Sequence, residues 1–397
     1  MSVEREYRHE VEYAVLAEGR EAAARDAAAR APRYIRRGLT EARKSMRVHR
    51  GVALIGALSA VLLAGAVRGT KPLTGTLVVV NKKDGTVSLV DLATRSITNT
   101  IPTGEGPHEA AVSPDGRWVL VSNYGPEQAP GTTLTLIDVQ LGSLERTISL
   151  GHRRPHGVVW LPDGKTVLVT AELDSALLAV DVPRGAVTSV IPLGTPGAHL
   201  IALSADGAVA FVSNVVGSSV TRVDVAARRA TATAVLPAGA EGIALRPDGS
   251  EVWVSSRTAN RITVLSATDL SVVTTIESGD YPIRMRFTPD GRTALVTFAK
   301  SSELKLFDAA THKQSASVTM KVSKSAMHGG SASEGYETKT VPIGLAVAGD
   351  PDWAMVANTG VDAVSLVSLK DRDIEAVIFV GREPDGLAWS PLVRAPE

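Results

Sequence analysis

The sequence predicts an all-β chain folded as a seven-bladed β-propeller, and three observations lead there. The first is a recurring tight turn, written SPDG at 113–116, LPDG at 161–164, SADG at 204–207, RPDG at 246–249 and TPDG at 288–291. Its Asp residues fall 48, 43, 42 and 42 positions apart, a period that marks stacked or radial repeats. The second is composition: of 397 residues 44% are hydrophobic but only 4% aromatic, and the repeats are rich in Val, Thr and Ala, which suit packed sheets. The third is that the first repeat lacks an inner strand while the C-terminus carries a spare one, GLAWSP at 386–391 matching EAAVSP at 109–114.

One repeat, 243–284, shows the unit. IALRPDG reads as a strand and turn, EVWVSS as a second strand, RTAN as a turn, RITVLSA as a third strand and SVVTTIES as a fourth, with GDYPIR leading onward. Counted from the second strand, copies begin near Leu77, Trp118, Val167, Val209, Val252, Ala294 and Trp353. A four-stranded sheet with two apolar faces needs a neighbour on each side, and radial stacking supplies both. The spare C-terminal strand then completes the first blade, closes the ring and removes two exposed sheet edges. Asp115, Asp163, Asp206, Asp248 and Asp290 are read as turn residues, each followed by a Gly that supplies positive φ. The strand-end residues Asn81, Asn123, Asn214 and Asn358 are read as bonding turn backbone.

The strand ends VVNKK (79–83), VSNYG (121–125), VSNVV (212–216) and VANTG (356–360), combined with the PDG turns, resemble the YVTN-repeat seven-bladed β-propellers and the wider lactonase-like group. The resemblance spans residues 76–391. It implies the propeller fold, and a function drawn from a family that contains cell-surface proteins, binding modules and hydrolases.

Ahead of the repeats, residues 1–50 carry 12 Arg and Lys against 8 Asp and Glu and read as helical or disordered. Residues 51–67, GVALIGALSAVLLAGAV, form an uncharged run bounded by Arg50 and Arg68. At ~1.5 Å per residue a helix there spans roughly 26 Å, against a ~30 Å hydrocarbon core. Two readings stay open. Either Met1 starts the chain and the run is an uncleaved anchor with a cytoplasmic basic flank, or Met46 starts it and Ala64-Gly65-Ala66 is a signal-peptide cleavage site. Both place a short linker, 68–75, and a propeller, 76–397, in the periplasm or outside the cell.

The remainder of the chain is mildly acidic, with 30 basic residues against 34 acidic, which argues against a nucleic-acid surface. The absence of cysteine excludes disulfides, thiolate metal sites and thiol catalysis, and suits an oxidising compartment. GxSxG, Walker, HExxH and CxxC patterns are also absent, so hydrolase, nucleotide and zincin readings lack their usual motifs.

Function is read from the positions where the copies differ. The loop after Asn123 is expanded (124–133), the link from Met320 to Thr340 is long, and five of eight histidines lie in the links between blades. Seven residues before each turn Asp stand His108, His156, His199, Glu241 and Ile283, and the two degenerate links give Ile343 and Asp385. These positions start the inner strands, so in cyclic order Asp385, His108, His156, His199 and Glu241 should line one arc of the channel mouth, with Glu109 and Arg284 one residue further in. Imidazoles flanked by carboxylates suit a divalent transition metal, and the same set could activate water, with Arg284 holding an oxyanion. It could equally cap strand ends in a polar, functionless channel. His152, Arg153 and Arg154 form a small basic spot on the loop face that could meet an anionic ligand or remain solvated. The reading is an exported platform that binds an unidentified protein or small molecule through its loop face. The membrane is a further partner through residues 51–67 if the run is uncleaved. The alternatives are a lactonase-like or metal-assisted hydrolase, and an accessory subunit of a periplasmic or membrane enzyme complex.

Overall fold

A computed structural model describes residues 73–323, 336–337 and 339–394. The segments 1–50 and 51–67, with the helix and anchor expected of them, lie outside the described residues. Among the described residues no helix is long and apolar enough to cross a membrane.

Seven four-stranded antiparallel sheets follow one another along the chain. From inner to outer strand, blade 2 is Pro107–Val112, Trp118–Asn123, Thr133–Asp138 and Ser143–Ser149. The inner strands of blades 3 to 7 are Pro155–Trp160, Ala198–Leu203, Ala240–Leu245, Pro282–Phe287 and Pro342–Val347. Blade 1 has Thr76–Asn81, Thr86–Asp91 and Ser96–Pro102, and takes its inner strand, Pro384–Ser390, from the other end of the chain. The register is Thr76↔Ser390, Leu77↔Trp389, Val78↔Ala388 and Val79↔Leu387. Each inner strand packs against the inner strand of the next blade all the way round.

There is no single central core. One apolar cluster fills each gap between adjacent blades, as between blades 7 and 1 (Leu77, Val79, Trp353, Met355) and between blades 5 and 6 (Trp253, Val264, Phe287, Phe307). Each sheet therefore buries both faces, and losing one blade would expose two apolar surfaces. The turn residues behave as expected: Asp115, for example, accepts from Ser113 Oγ and from the Arg117 amide. The strand-end Asn residues differ from expectation, because their amides chiefly reach hydroxyls on the third strand: Asn81 donates to Thr86 and Ser88, and Asn123 to Thr133 and Thr135. Only Asn123 also accepts from a link backbone, at Gly104.

All seven inner strands carry a β-bulge at the same place. Pro107 faces Asn123 but Ala110 faces Val121, so three steps on the inner strand match two on its neighbour, and the other six blades repeat the slip. A bulge frees ladder groups and re-aims side chains. Second-strand hydroxyls take up the freed amides: Ser122 accepts from Glu109 N, Thr170 from Gly157 N, Ser213 from Leu200 N, Ser255 from Gly242 N and Thr297 from Arg284 N. Four of those hydroxyls donate onward to the next blade, at His199 O, Glu241 O, Ile283 O and Ile343 O. The inner strands thereby come so close that a Cβ on Gly157 would lie 2.6 Å from His199 O, and one on Gly344 would collide with Asp385 O.

Ending the chain at Glu383 removes the pairing that closes blade 1. The expected outcome is a thermal midpoint lowered by more than about 10 °C, with loss of a single cooperative transition by circular dichroism; an unchanged melt would mean the ring does not depend on that strand.

Candidate functional site

The bulges aim the first residues of the inner strands inward at one end of the ring. Reading round it, each side chain touches the next. Asp385 Oδ2 lies 3.0 Å from His108 Nδ1, in contact but off the line of a hydrogen bond. The His108 and His156 ring centroids are 4.5 Å apart, and His156 and His199 stack at 3.7 Å. His199 Nε2 meets Glu241 Oε1 at 2.9 Å, Arg284 donates to the same oxygen at 2.6 Å, and its other terminal nitrogen lies 3.8 Å from Asp385 Oδ1. Glu109 reaches across from the next position to accept from both Nε and a terminal nitrogen of Arg284 at 3.0 and 2.6 Å. All seven residues are buried, none more than 6% exposed.

A second tier comes from residues just past the second strands. In all seven blades the amide of that residue donates to the link carbonyl two positions before the ring residue: Lys82 to Glu383, Tyr124 to Gly106, Glu172 to Arg154, Val215 to Gly197, Arg257 to Gly239, Ala299 to Tyr281 and Thr359 to Val341. This places Glu172 over His199, whose Nδ1 it meets at 2.9 Å. Tyr124 donates its hydroxyl proton to Glu172 at 2.7 Å, Arg154 donates to the Tyr124 oxygen at 3.1 Å, and Arg257 lies 3.0 Å from Glu241 Oε2. Glu172, Tyr124 and Arg257 were not anticipated. Each directly follows a second strand, after Asn123, Ala171 and Ser256, and only the first of these strand ends is an Asn.

The basic spot at 152–154 divides. His152 and Arg153 both engage Asp174, in the turn of the same blade, at 3.1 and 2.8 Å. Arg154 takes positive φ (55°), turns inward and is 2% exposed, with its guanidinium 4.8 Å from the Tyr124 ring centre.

The charges settle by mutual pairing. Burial works against a charge on His199, but Glu241 and Glu172 outweigh it and raise its pKa from 6.5 to about 9. Burial, reinforced by the neighbouring charges of His199, His108 and Arg284, pushes His156 well below 6.5, so that ring is neutral. Burial alone would raise the Glu241 pKa, but Arg257, His199 and Arg284 together hold it well below the carboxylate range. Asp385 is likewise held low, its burial outweighed by His108 and Arg284. Arg284 keeps its proton against burial because Glu109, Glu241 and Asp385 surround it.

Two expectations follow. His199 gains stability from a raised pKa, so its contribution is full below about pH 6.5 and lost as pH climbs through about 9, a change on the order of 3 kcal/mol. Urea denaturation across pH 6–10 should show that slope, and His199→Gln should flatten it. Arg284→Met leaves buried carboxylates uncompensated and should cost on the order of 3–5 kcal/mol. Adding Glu109→Gln should recover part of that loss in the denaturation midpoint.

The comparisons with known proteins agree with this architecture. A solved structure, hydrazine synthase of Kuenenia stuttgartiensis, superposes with a TM-score of 0.60 at 19% identity, covering 78% of this chain and 99% of that one; at that identity it speaks for the fold alone. A search of the curated proteins gives no match. The family model described as "Lactonase, 7-bladed beta-propeller" matches residues 74–331. With well over half its length matched and seven blades in place, the chain belongs to the seven-bladed β-propeller lactonase family.

Proposed function

We propose that this protein is a binding platform whose loop-rich face recognises a small-molecule ligand or a partner protein. The antiparallel order of each blade brings the second-to-third-strand loops and the inter-blade links to one face, and loops held on a rigid scaffold are where recognition concentrates. One observation carries the reading: the buried cationic groups beneath that face, Arg284 and His199, are engaged by carboxylates. Arg284 is spent on Glu109 and Glu241, and both nitrogens of His199 are held by Glu172 and Glu241. The departures from the repeat fall in such connections, the 124–133 loop and the 320–340 link, where Val322–Ser323 pairs with Tyr336–Glu337 among the described residues. Export, with or without a membrane tether through 51–67, belongs to the same proposal and rests on the uncharged run between Arg50 and Arg68. N-terminal sequencing of the mature protein tests it.

A second reading, hydrolysis of a lactone, is favoured by the family match and by His156, a neutral imidazole whose Nδ1 lacks a hydrogen-bond partner, as a general base requires. An assay against a panel of γ- and δ-lactones separates the two. The platform reading expects rates equal to the uncatalysed background. Turnover that disappears in His156→Ala would replace it with the hydrolase.

A further inference from the structure

The inner tier of the ring contains more unsatisfied polarity than any other part of the described molecule. Both ring nitrogens of His108, Nδ1 of His156, Oε2 of Glu241 and Oδ1 of Asp385 are buried without a hydrogen-bond partner. Three of these five face an opposite charge: Glu241 Oε2 has Arg257 at 3.0 Å, Asp385 Oδ1 has Arg284 at 3.8 Å, and His108 Nδ1 has Asp385 Oδ2 at 3.0 Å. His108 Nε2 and His156 Nδ1 have no such counterpart. An orphaned buried nitrogen costs free energy unless something fills its lone pair or takes its proton.

One ligand atom each from His108, Glu109 and His156 lie within 4.8 Å of one another. We propose that these three side chains bind a divalent transition-metal ion, with its remaining positions open to water. Two imidazoles and a carboxylate are the donor set that borderline ions such as Zn²⁺ and Ni²⁺ prefer. The surroundings provide what such ligands need behind them: Asp385 stands against the far side of the His108 ring, and Arg284 grips one oxygen of Glu109 and fixes the carboxylate. His199 is outside the set, since both its nitrogens are held by carboxylates. Glu241 and Asp385 are outside it too, because the ligand atoms that gather within 4.8 Å here are those of His108, Glu109 and His156. The five-residue arc predicted by spacing therefore contracts to two of its histidines plus Glu109. This inference goes beyond the platform reading and is tested by metal content, whatever binds the loop face.

The experiment uses the full chain without a histidine tag, stripped with chelator and titrated with Zn²⁺ alone by calorimetry. The expected result is one equivalent bound, with a raised thermal midpoint. His108→Gln and His156→Asn should each weaken binding by at least about tenfold, while His312→Gln, on the opposite face, leaves it unchanged. Circular dichroism melts confirm that each variant is folded. Where His156→Asn does not fold, Glu109→Gln serves, and X-ray absorption of the wild-type protein should count two imidazoles. Folded protein that takes up no stoichiometric Zn²⁺ would overturn the proposal, leaving buried water on those nitrogens. So would equal binding by the His108→Gln, His156→Asn double variant, which would place the ion on other histidines.

Discussion

Everything in this molecule depends on the antiparallel pairing of Thr76–Asn81 with Pro384–Ser390. The apolar clusters lie between blades, so each sheet is stable only while it has two neighbours, and a ring with one open seam would leave two faces and two edges in water. The pairing also carries chemistry, since the strand that closes the seam brings Asp385 to His108 and Arg284. Fold and site share one bond pattern.

Close approach about the axis is achieved by alternation. At the second inner position Gly157, Gly242, Gly344 and Gly386 leave room for neighbouring backbone, while Glu109, Leu200 and Arg284 fill the space between. The bulge at each inner strand would strand its amides; in five blades a second-strand Ser or Thr hydroxyl satisfies one, and four of these hydroxyls also tie one blade to the next. Electrostatics completes the fit. Glu109, Glu241 and Asp385 surround Arg284, and Glu172 and Glu241 hold His199 between them, the pairing under which buried ionic groups are tolerated.

Much of this could be read in the residues. Periodic PDG turns placed the blades, and the seven-residue offset from each turn Asp picked out His108, His156, His199, Glu241 and Asp385, because that offset lies within one strand and its turn. What could not be read arises from pairing between strands. The bulge has no local signature, so the offset could place Glu109 and Arg284 one residue further in without showing the slip in register that turns them inward. Glu172 and Tyr124 occupy the position just past the second strand, whose residue differs in every copy, so no repeat pattern marks them. Arg153 and Arg154 are adjacent and alike in sequence, yet one has a side chain 60% exposed and the other 2%. A single left-handed residue separates their fates.

The seam has a consequence for biosynthesis. Thr76 and Leu392, which bond to each other beside it, are 316 residues apart, so the first blade leaves the ribosome long before its innermost strand exists. During that interval Thr76–Asn81 offers an unpaired edge and Glu109 and Arg284 await a third charge. Such long-range closure is slow and leaves the nascent chain open to aggregation. The strand Pro384–Ser390 thus decides whether the seven blades become a single enclosed body or an open arc that a chaperone must shield.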